Sequence, residues 1–415
     1  MKLHIFDNGL VNKSGHSFVY TTSVYKEWVR RGNETIVYAN KVFDDDLKKG
    51  YTVVPLFSHY IRQPYSPVRI PSFLNKIFHL NGILNFIFGN FSYWRDLKKL
   101  DKKTFANDDI VLIHTINQSF LFAVYWWYRS LSESNLPYLV ILFRFGNIVY
   151  NQQKHYLSSF YLYQFAFKLF DRLPRRSKII FVTDSEDLAK EYGEMTRRRI
   201  AVIPVLALPQ HQLSSSHERH DEITFAYLGD AADDKGYYLL PEAIRLVLSR
   251  KKGTNIKFVV QSNIVAGRPA EQTLHAKKEL AKLEANITMI DRPLAPAEHF
   301  DAMVKTDVVL IPFRAKGPSG YYARTSGIFT DAMTLGKPTI VPRDTWMERQ
   351  LLKYDGGGVV FEDNDAKSLS QAMLIFLEKQ DELREKARTA AKKWNEYHNA
   401  QNYVDTLLHS MEFTQ

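Results

Sequence analysis

Cysteine is absent from all 415 residues, which removes disulfides, thiolate metal sites and cysteine nucleophiles together and fits a reducing compartment. Metal binding is left to Asp, Glu and His. Long apolar runs are missing too: Met1–Leu10 holds no stretch of signal-peptide length, and no segment reaches the ~18 uninterrupted apolar residues of a spanning helix. The expectation is a cytoplasmic protein, at most peripheral at the cytoplasmic face of the inner membrane. With 24% charged residues, 13% aromatics, and only 16 prolines and 19 glycines spread as punctuation, the chain is neither disordered nor of low complexity. What is present, 45% hydrophobic residues over this length, exceeds one compact core and suffices for two domains.

Acidic charge is scarce in only one half. Residues 1–208 hold 28 Lys and Arg against 17 Asp and Glu, an excess of +11, while the rest holds 27 against 28, or −1. The same first half carries 38 of the 56 aromatic residues. A basic, aromatic half beside a neutral one implies divided labour, with an anionic partner for the first.

Short apolar runs of strand length alternate with amphipathic stretches, the rhythm of doubly wound α/β domains. Strands are expected at Lys2–Phe6, Thr35–Ala39, Ile110–His114, Tyr138–Phe143, Ile179–Thr183 and Ile200–Val205, with helices at His16–Arg31 and Glu186–Tyr192. The polar interval Gln210–Glu222 has linker composition. After it come strands at Ile223–Leu228, Ile256–Gln261, Ile287–Ile290, Val308–Pro312, Pro338–Val341 and Gly358–Phe361, and helices at Tyr238–Leu248, Ala270–Leu283 and Gly327–Leu335. The expected domains are 1–208, 209–392 and a helical tail, 393–415, that crosses back onto the first. Tyr51–Lys103 fits the rhythm poorly: apolar bulk is flanked by the basic run RDLKKLDKK. It reads either as a helix at a membrane interface or as a buried hairpin ending in a solvated lysine cluster.

Four constellations can carry chemistry. The loop Asp7–Ser17 follows the first strand and opens the first helix, so Gly15 lets a ligand near the backbone. His16 there either contacts ligand or caps the helix, and the dinucleotide fingerprint G-x-G-x-x-G is missing. Gly229 ends a strand whose loop reaches Lys235 and Gly236, a place where lysine pairs with phosphate or is a surface lysine. In Val308–Met347 a loop with Arg324 leads through Thr325, Ser326 and Gly327 into a helix bearing Asp331. Amides at such a helix start suit a diphosphate, the arginine adds fixed charge, and the carboxylate accepts hydroxyl hydrogen bonds. Ser326 as a plain cap beside a solvated Asp331 is the bland alternative. Lastly, a strand delivers His114 and Asn117, and Arg144 ends the next strand, either for an acceptor phosphate or paired with a nearby acid.

The runs Gly229-Asp230 to Lys235-Gly236 and Asp331-Ala332-Met333-Thr334-Leu335-Gly336-Lys337-Pro338 resemble the donor site of the glycosyltransferase family 4 (group 1) enzymes. The likeness is good over residues 220–345 and weak in the first half, where the Gly15-His16 loop and Ser185 are family-like. It implies the GT-B architecture, two Rossmann-like domains facing a central cleft. It implies Lys235 as the phosphate-binding lysine, Asp331 as the acid on the nucleotide ribose, and His114 near the acceptor and donor sugar. Two positions depart: Asp230 stands where the family has a loop arginine, and Ala323 where it has the first acid of its Glu-x7-Glu pair. Arg324 is then the substitute positive charge.

The resemblance implies a retaining transferase moving a sugar from a nucleotide diphosphate to an acceptor hydroxyl, with Lys235, Arg324 and His114 catalytic. The donor would sit on Gly229, Lys235, Arg324, Thr325, Ser326, Gly327 and Asp331, and the acceptor on Gly15, His16, Asn117 and Arg144. No cofactor or metal is expected, since Asp44-Asp45-Asp46 and Asp233-Asp234 read as solvated turns. The expected partners are a nucleotide sugar, a glycan or lipid-linked acceptor, and an anionic membrane surface met by the first domain, but no nucleic acid. A catalytically degenerate nucleotide-sugar-binding protein and a GT-B sugar-nucleotide epimerase are the alternatives. The cleft is expected to close on the donor.

Overall fold

A computed structural model describes residues 1–13, 15–59, 80–144, 159–206, 222–251, 253, 255–264, 270–283, 286–317 and 319–412. Of the expected linker, 210–221 lie outside these residues, as do 73–79 of the segment expected at a membrane. The chain forms two compact units, Met1–Pro204 with Ala400–Gln415, and Val205–Asn399.

In the first unit the order is β1 (Lys2–Asp7), α1 (Gly15–Arg30), β2 (Glu34–Asn40), β3 (Val53–Phe57), α2 (Leu80–Leu97), β4 (Ile110–Ile116), α3 (Gln118–Arg129), β5 (Tyr138–Phe143), α4 (Ser159–Asp171), β6 (Ile179–Thr183), α5 (Glu186–Thr196) and β7 (Ala201–Val202). The second unit runs β8 (Ile223–Tyr227), α6 (Leu240–Arg250), β9 (Ile256–Gln261), α7 (Glu271–Ala281), β10 (Ile287–Ile290), α8 (Pro296–Val304), β11 (Val308–Leu310), α9 (Gly327–Thr334), β12 (Thr339–Pro342), α10 (Trp346–Tyr354), β13 (Val359–Phe361) and α11 (Ala366–Tyr397). Helix α12 (Ala400–Glu412) returns to the first unit and packs on α1, where Arg31 Nη1 donates to Asp405 at 2.7 Å.

Both sheets are parallel, in the orders β3-β2-β1-β4-β5-β6-β7 and β10-β9-β8-β11-β12-β13. Their central strands are apolar on both faces because helices cover both sides; Tyr138–Phe143 (YLVILF) is buried except at its first residue. The expected strand at Ile200–Val205 shrinks to two residues, since Pro204 has no N–H to donate. Helix α6 begins two residues later than expected, with Pro241 in its first turn after a 3-10 turn at Tyr237–Leu239. The tail is helical as expected but in two pieces, α11 and α12. At the break His398 stacks on Trp394 and its Nδ1 accepts from Val205 N at 3.1 Å; burial drops its imidazole to about 3, so it is neutral.

In each sheet the strand order reverses once, between β1 and β4 and between β8 and β11. Ligands of open α/β sheets bind outside the carboxyl ends of the strands at such a reversal. The predicted site residues flank these two points.

Candidate active site

In the second unit, β8 ends at Tyr227 and the chain passes Gly229 to a 3-10 turn, Asp233–Lys235. Lys235 folds back over Gly229: a Cβ there would lie 3.7 Å from Lys235 Nζ and 3.8 Å from Phe313 Cζ. The ammonium is 3.1 Å from Asp230 Oδ2 and 5.8 Å from the Phe313 ring centre. Asp230, the acid at the family's arginine position, is tethered by Asn263 Nδ2 at 2.9 Å, and Gln261 in turn donates to Asn263 at 2.7 Å. Asp233, expected in a solvated turn, is instead half-buried and accepts from Thr273 Oγ1 at 2.6 Å, which fastens the turn to α7.

Across the reversal, Pro312 and Phe313 follow β11. Phe313 packs on Tyr321 with ring centres 4.7 Å apart, and the Arg324 guanidinium lies 4.7 Å above Tyr321 while donating to Ser319 O at 2.7 Å. Lys235 and Arg324 therefore stand on adjoining rings of one aromatic pair. Two cations held this way attract anions, and the ring faces offset part of their mutual repulsion.

The loop then enters α9. Ser326 is its N-cap and accepts from Phe329 N at 3.3 Å, so of the bland alternative the Ser326 cap is present, while Phe329 anchors the helix between Trp346 and Trp394. Thr325 is half-buried, and Ala323 is fully buried. Gly327 opens the helix and Asp331 lies about one turn in. Asp331 is not solvated: it is half-buried and 3.4 Å from His299 Nε2, a residue of α8 that sequence reasoning missed.

Burial pushes the Asp331 carboxyl above its ordinary value, against the opposing pull of His299. A carboxyl raised on folding binds its proton more tightly in the folded chain, so stability is lowest once the pH is above that raised value and recovers as the pH falls through it. Asp331→Asn should accordingly melt higher than the parent at neutral pH, with the gain shrinking toward the acid range, while nucleotide affinity falls. Equal melting curves across the range would show that the carboxylate carries no such strain.

In the first unit, β4 runs to Ile116, so His114 sits within the strand rather than at its end, and the register with β5 shifts between Ile113 and Ile116. His114 is buried edge-on against Tyr20, ring centres 5.1 Å apart. The Arg144 guanidinium also lies 4.4 Å from the centre of the Tyr20 ring and donates through Nε to the buried Asp184 at 2.8 Å. Of its two expected roles, the structure displays the pairing with an acid. Burial alone would lower Arg144, but Tyr20, Asp184 and Tyr403 hold the guanidinium charged, above its ordinary value. Asp7, beside it at the end of β1, is raised by burial although Thr21 Oγ1 and Gly9 N donate to it at 2.8 and 2.9 Å. Gly15 opens α1 with φ +71°, Asn117 is half-buried between β4 and α3, and the His16 side chain lies outside the described residues. The structure thus brings His114 and Arg144 together on Tyr20, with Asp7 close enough to Arg144 to feel its charge. Among the described residues no group of three His, Asp or Glu side chains is placed to hold a metal ion.

Residues 210–394 match the family model of the glycosyl transferases group 1. The match covers most of the second unit and none of the first. No curated protein matches the sequence. Among solved structures, sucrose-phosphate synthase from Thermosynechococcus elongatus is similar at 12% identity, with all of both chains covered and a TM-score of 0.67. Anabaena HepE in complex with UDP aligns at 13% identity over all of both chains, TM-score 0.66. The UDP-forming α,α-trehalose-phosphate synthase of Burkholderia xenovorans, in complex with glucose-6-phosphate, aligns at 11% identity over 99% of this chain and 100% of that one, TM-score 0.66. The fold of the whole chain is thereby GT-B.

The motif positions Lys235 and Asp331 were readable from sequence. Phe313, Tyr321, His299 and Asp184 were not: Phe313, His299 and Asp184 meet Lys235, Asp331 and Arg144 from other elements, and Tyr321 meets Phe313 and Arg324 only through the fold of their shared loop.

Proposed function

We propose that this chain is a glycosyltransferase that moves a sugar from a uridine diphosphate donor to an acceptor hydroxyl with retention of anomeric configuration, and that the acceptor is a lipid-linked or cell-surface polysaccharide precursor. The observation that carries the donor half is the pair of cations, Lys235 and Arg324, on the Phe313–Tyr321 rings beside the start of α9. The UDP bound in the Anabaena structure and the UDP-forming Burkholderia synthase favour uridine.

In the reaction the bond between the anomeric carbon and the β-phosphate oxygen breaks, and its electron pair leaves with the phosphate. Lys235, Arg324 and the Ser326–Gly327 amides stabilise that developing charge, and fixed donors of this kind contribute roughly 3–4 kcal/mol each. Asp331 accepts from the ribose hydroxyls. The acceptor oxygen bonds to the anomeric carbon from the face the phosphate leaves, and its proton passes to the departing phosphate oxygen. Positioning then sets much of the rate, and His114, Asn117, Gly15 and His16 form the acceptor side, with Arg144 ordering His114 through Tyr20. The charge supplied by Lys235 and Arg324 makes a divalent metal unnecessary in this reading.

The test is release of nucleoside diphosphate from a panel of uridine, guanosine and adenosine diphosphate sugars, with and without EDTA, and NMR of the product anomer. Turnover of a uridine donor that EDTA leaves intact is expected. Binding without turnover of any donor would instead indicate a degenerate binding protein, and an inverted product would overturn retention.

A further inference from the structure

Helices α2, α3 and α4 pack side by side, α2 on α3 and α3 on α4. Their outer rings join: Phe86 of α2 meets Phe122 of α3 at 5.3 Å, and Phe122 meets Trp126 at 6.4 Å and Phe165 of α4 at 5.8 Å. Along this ridge Ile87, Phe91, Trp126 and Phe165 are 52%, 54%, 46% and 55% exposed. Large side chains so open, contiguous across three helices, are unusual on a surface that meets only water.

The exposed charges that follow these residues on their own helices are basic. Arg95 and Lys98 follow Phe91 at four and seven residues, Arg129 follows Trp126 at three, and Lys168 follows Phe165 at three, all exposed. Residues three, four and seven apart share a helix face, so each apolar stretch continues into a cation on the same side. The three helices contain only two acids, and both are already paired, Asp96 with Lys99 and Asp171 with Arg198. Among the described residues no helix is long and apolar enough to cross a membrane. An apolar aromatic ridge rimmed by lysine and arginine fits a surface that offers acyl chains and anionic headgroups together.

We propose that the α2–α3–α4 face is a membrane-docking surface that lies on anionic bilayers, with the ridge in the headgroup region and the cations on lipid phosphates. This deepens the reading of a lipid-linked acceptor and rests on it for its biological purpose. Its test is independent of turnover.

The full chain is sedimented with phosphatidylglycerol–phosphatidylcholine vesicles and with pure phosphatidylcholine vesicles at low salt. Binding to the anionic vesicles is expected, weaker by at least about tenfold on neutral ones. Ile87→Glu/Phe91→Glu and, separately, Phe165→Glu should each weaken anionic-vesicle binding by about tenfold or more. Their melting curves and nucleotide-sugar hydrolysis should match the parent. Parent protein left in the supernatant with anionic vesicles, or variants that sediment like the parent, would overturn the proposal. A parent dimer that both variants convert to monomer, without vesicle binding, would overturn it in favour of a second copy of the chain. Loss of hydrolysis in the parent with vesicle binding intact would instead count against the donor reading alone.

Discussion

Replacing Lys235 by alanine should lower sugar-transfer turnover by about 100- to 1,000-fold, the usual consequence of deleting one fixed donor to a developing oxyanion. The loss should appear in kcat more than in KM, because the phosphate oxygen gains most of its charge after the donor is bound. Stability should hardly move: the ion pair with Asp230 is partly exposed, and such pairs contribute at most about 1 kcal/mol. Lys235→Arg should recover only part of the rate, since a planar fork does not reproduce a compact ammonium folded over Gly229. Steady-state kinetics beside a melting curve separates these effects. A variant that turns over within a few-fold of the parent would remove Lys235 from the chemistry.

Gly236→Ala should be the most damaging small substitution in the donor loop. The residue has φ +60°, and a Cβ would fall 1.8 Å from Pro312 O, a contact that only movement of the backbone leaving β11 can relieve. Left-handed strain and forced overpacking together cost about 3–5 kcal/mol, which is roughly a 10 °C fall in melting temperature for a unit of this size. Shifting Pro312 also displaces Phe313, so nucleotide affinity should fall with stability. Gly229→Ala is the contrast: its Cβ would meet only ordinary contacts at 3.7–3.8 Å, and it should melt close to the parent. Similar melting temperatures for Gly236→Ala and the parent would mean that the β8–β11 approach is looser than described.

Strands were the most legible feature of the sequence. Tyr138–Phe143 and Ile179–Thr183 were read with their observed limits, because strands buried on both faces are uninterrupted apolar runs. Helices α2, α3 and α4 were harder, since aromatic residues lie on both their buried and exposed sides and blur the helical period. That same blurring marks the proposed docking face.

The candidate site divides likewise. Lys235, Ser326 and Asp331 were legible because local motif spacing fixes them on a loop end and a helix start. The rings that carry the two cations were not, because Phe313 and Tyr321 lie on a loop with no periodicity and meet only through its fold. Arg144 and Asp184 come together from the ends of neighbouring strands, β5 and β6, a pairing that sequence leaves among several acids. The expected strand stops at the polar His114, whereas β4 continues through the β-branched Thr115 and Ile116.

The most direct test of donor recognition is calorimetric titration of UDP into the parent chain, Lys235→Ala and Asp331→Asn. One UDP per chain should bind the parent, with affinity reduced by about tenfold or more in each variant, through lost phosphate and ribose contacts respectively. Absence of UDP binding to the parent, or equal affinities in all three proteins, would contradict the assignment of the donor to the second unit's strand-order reversal.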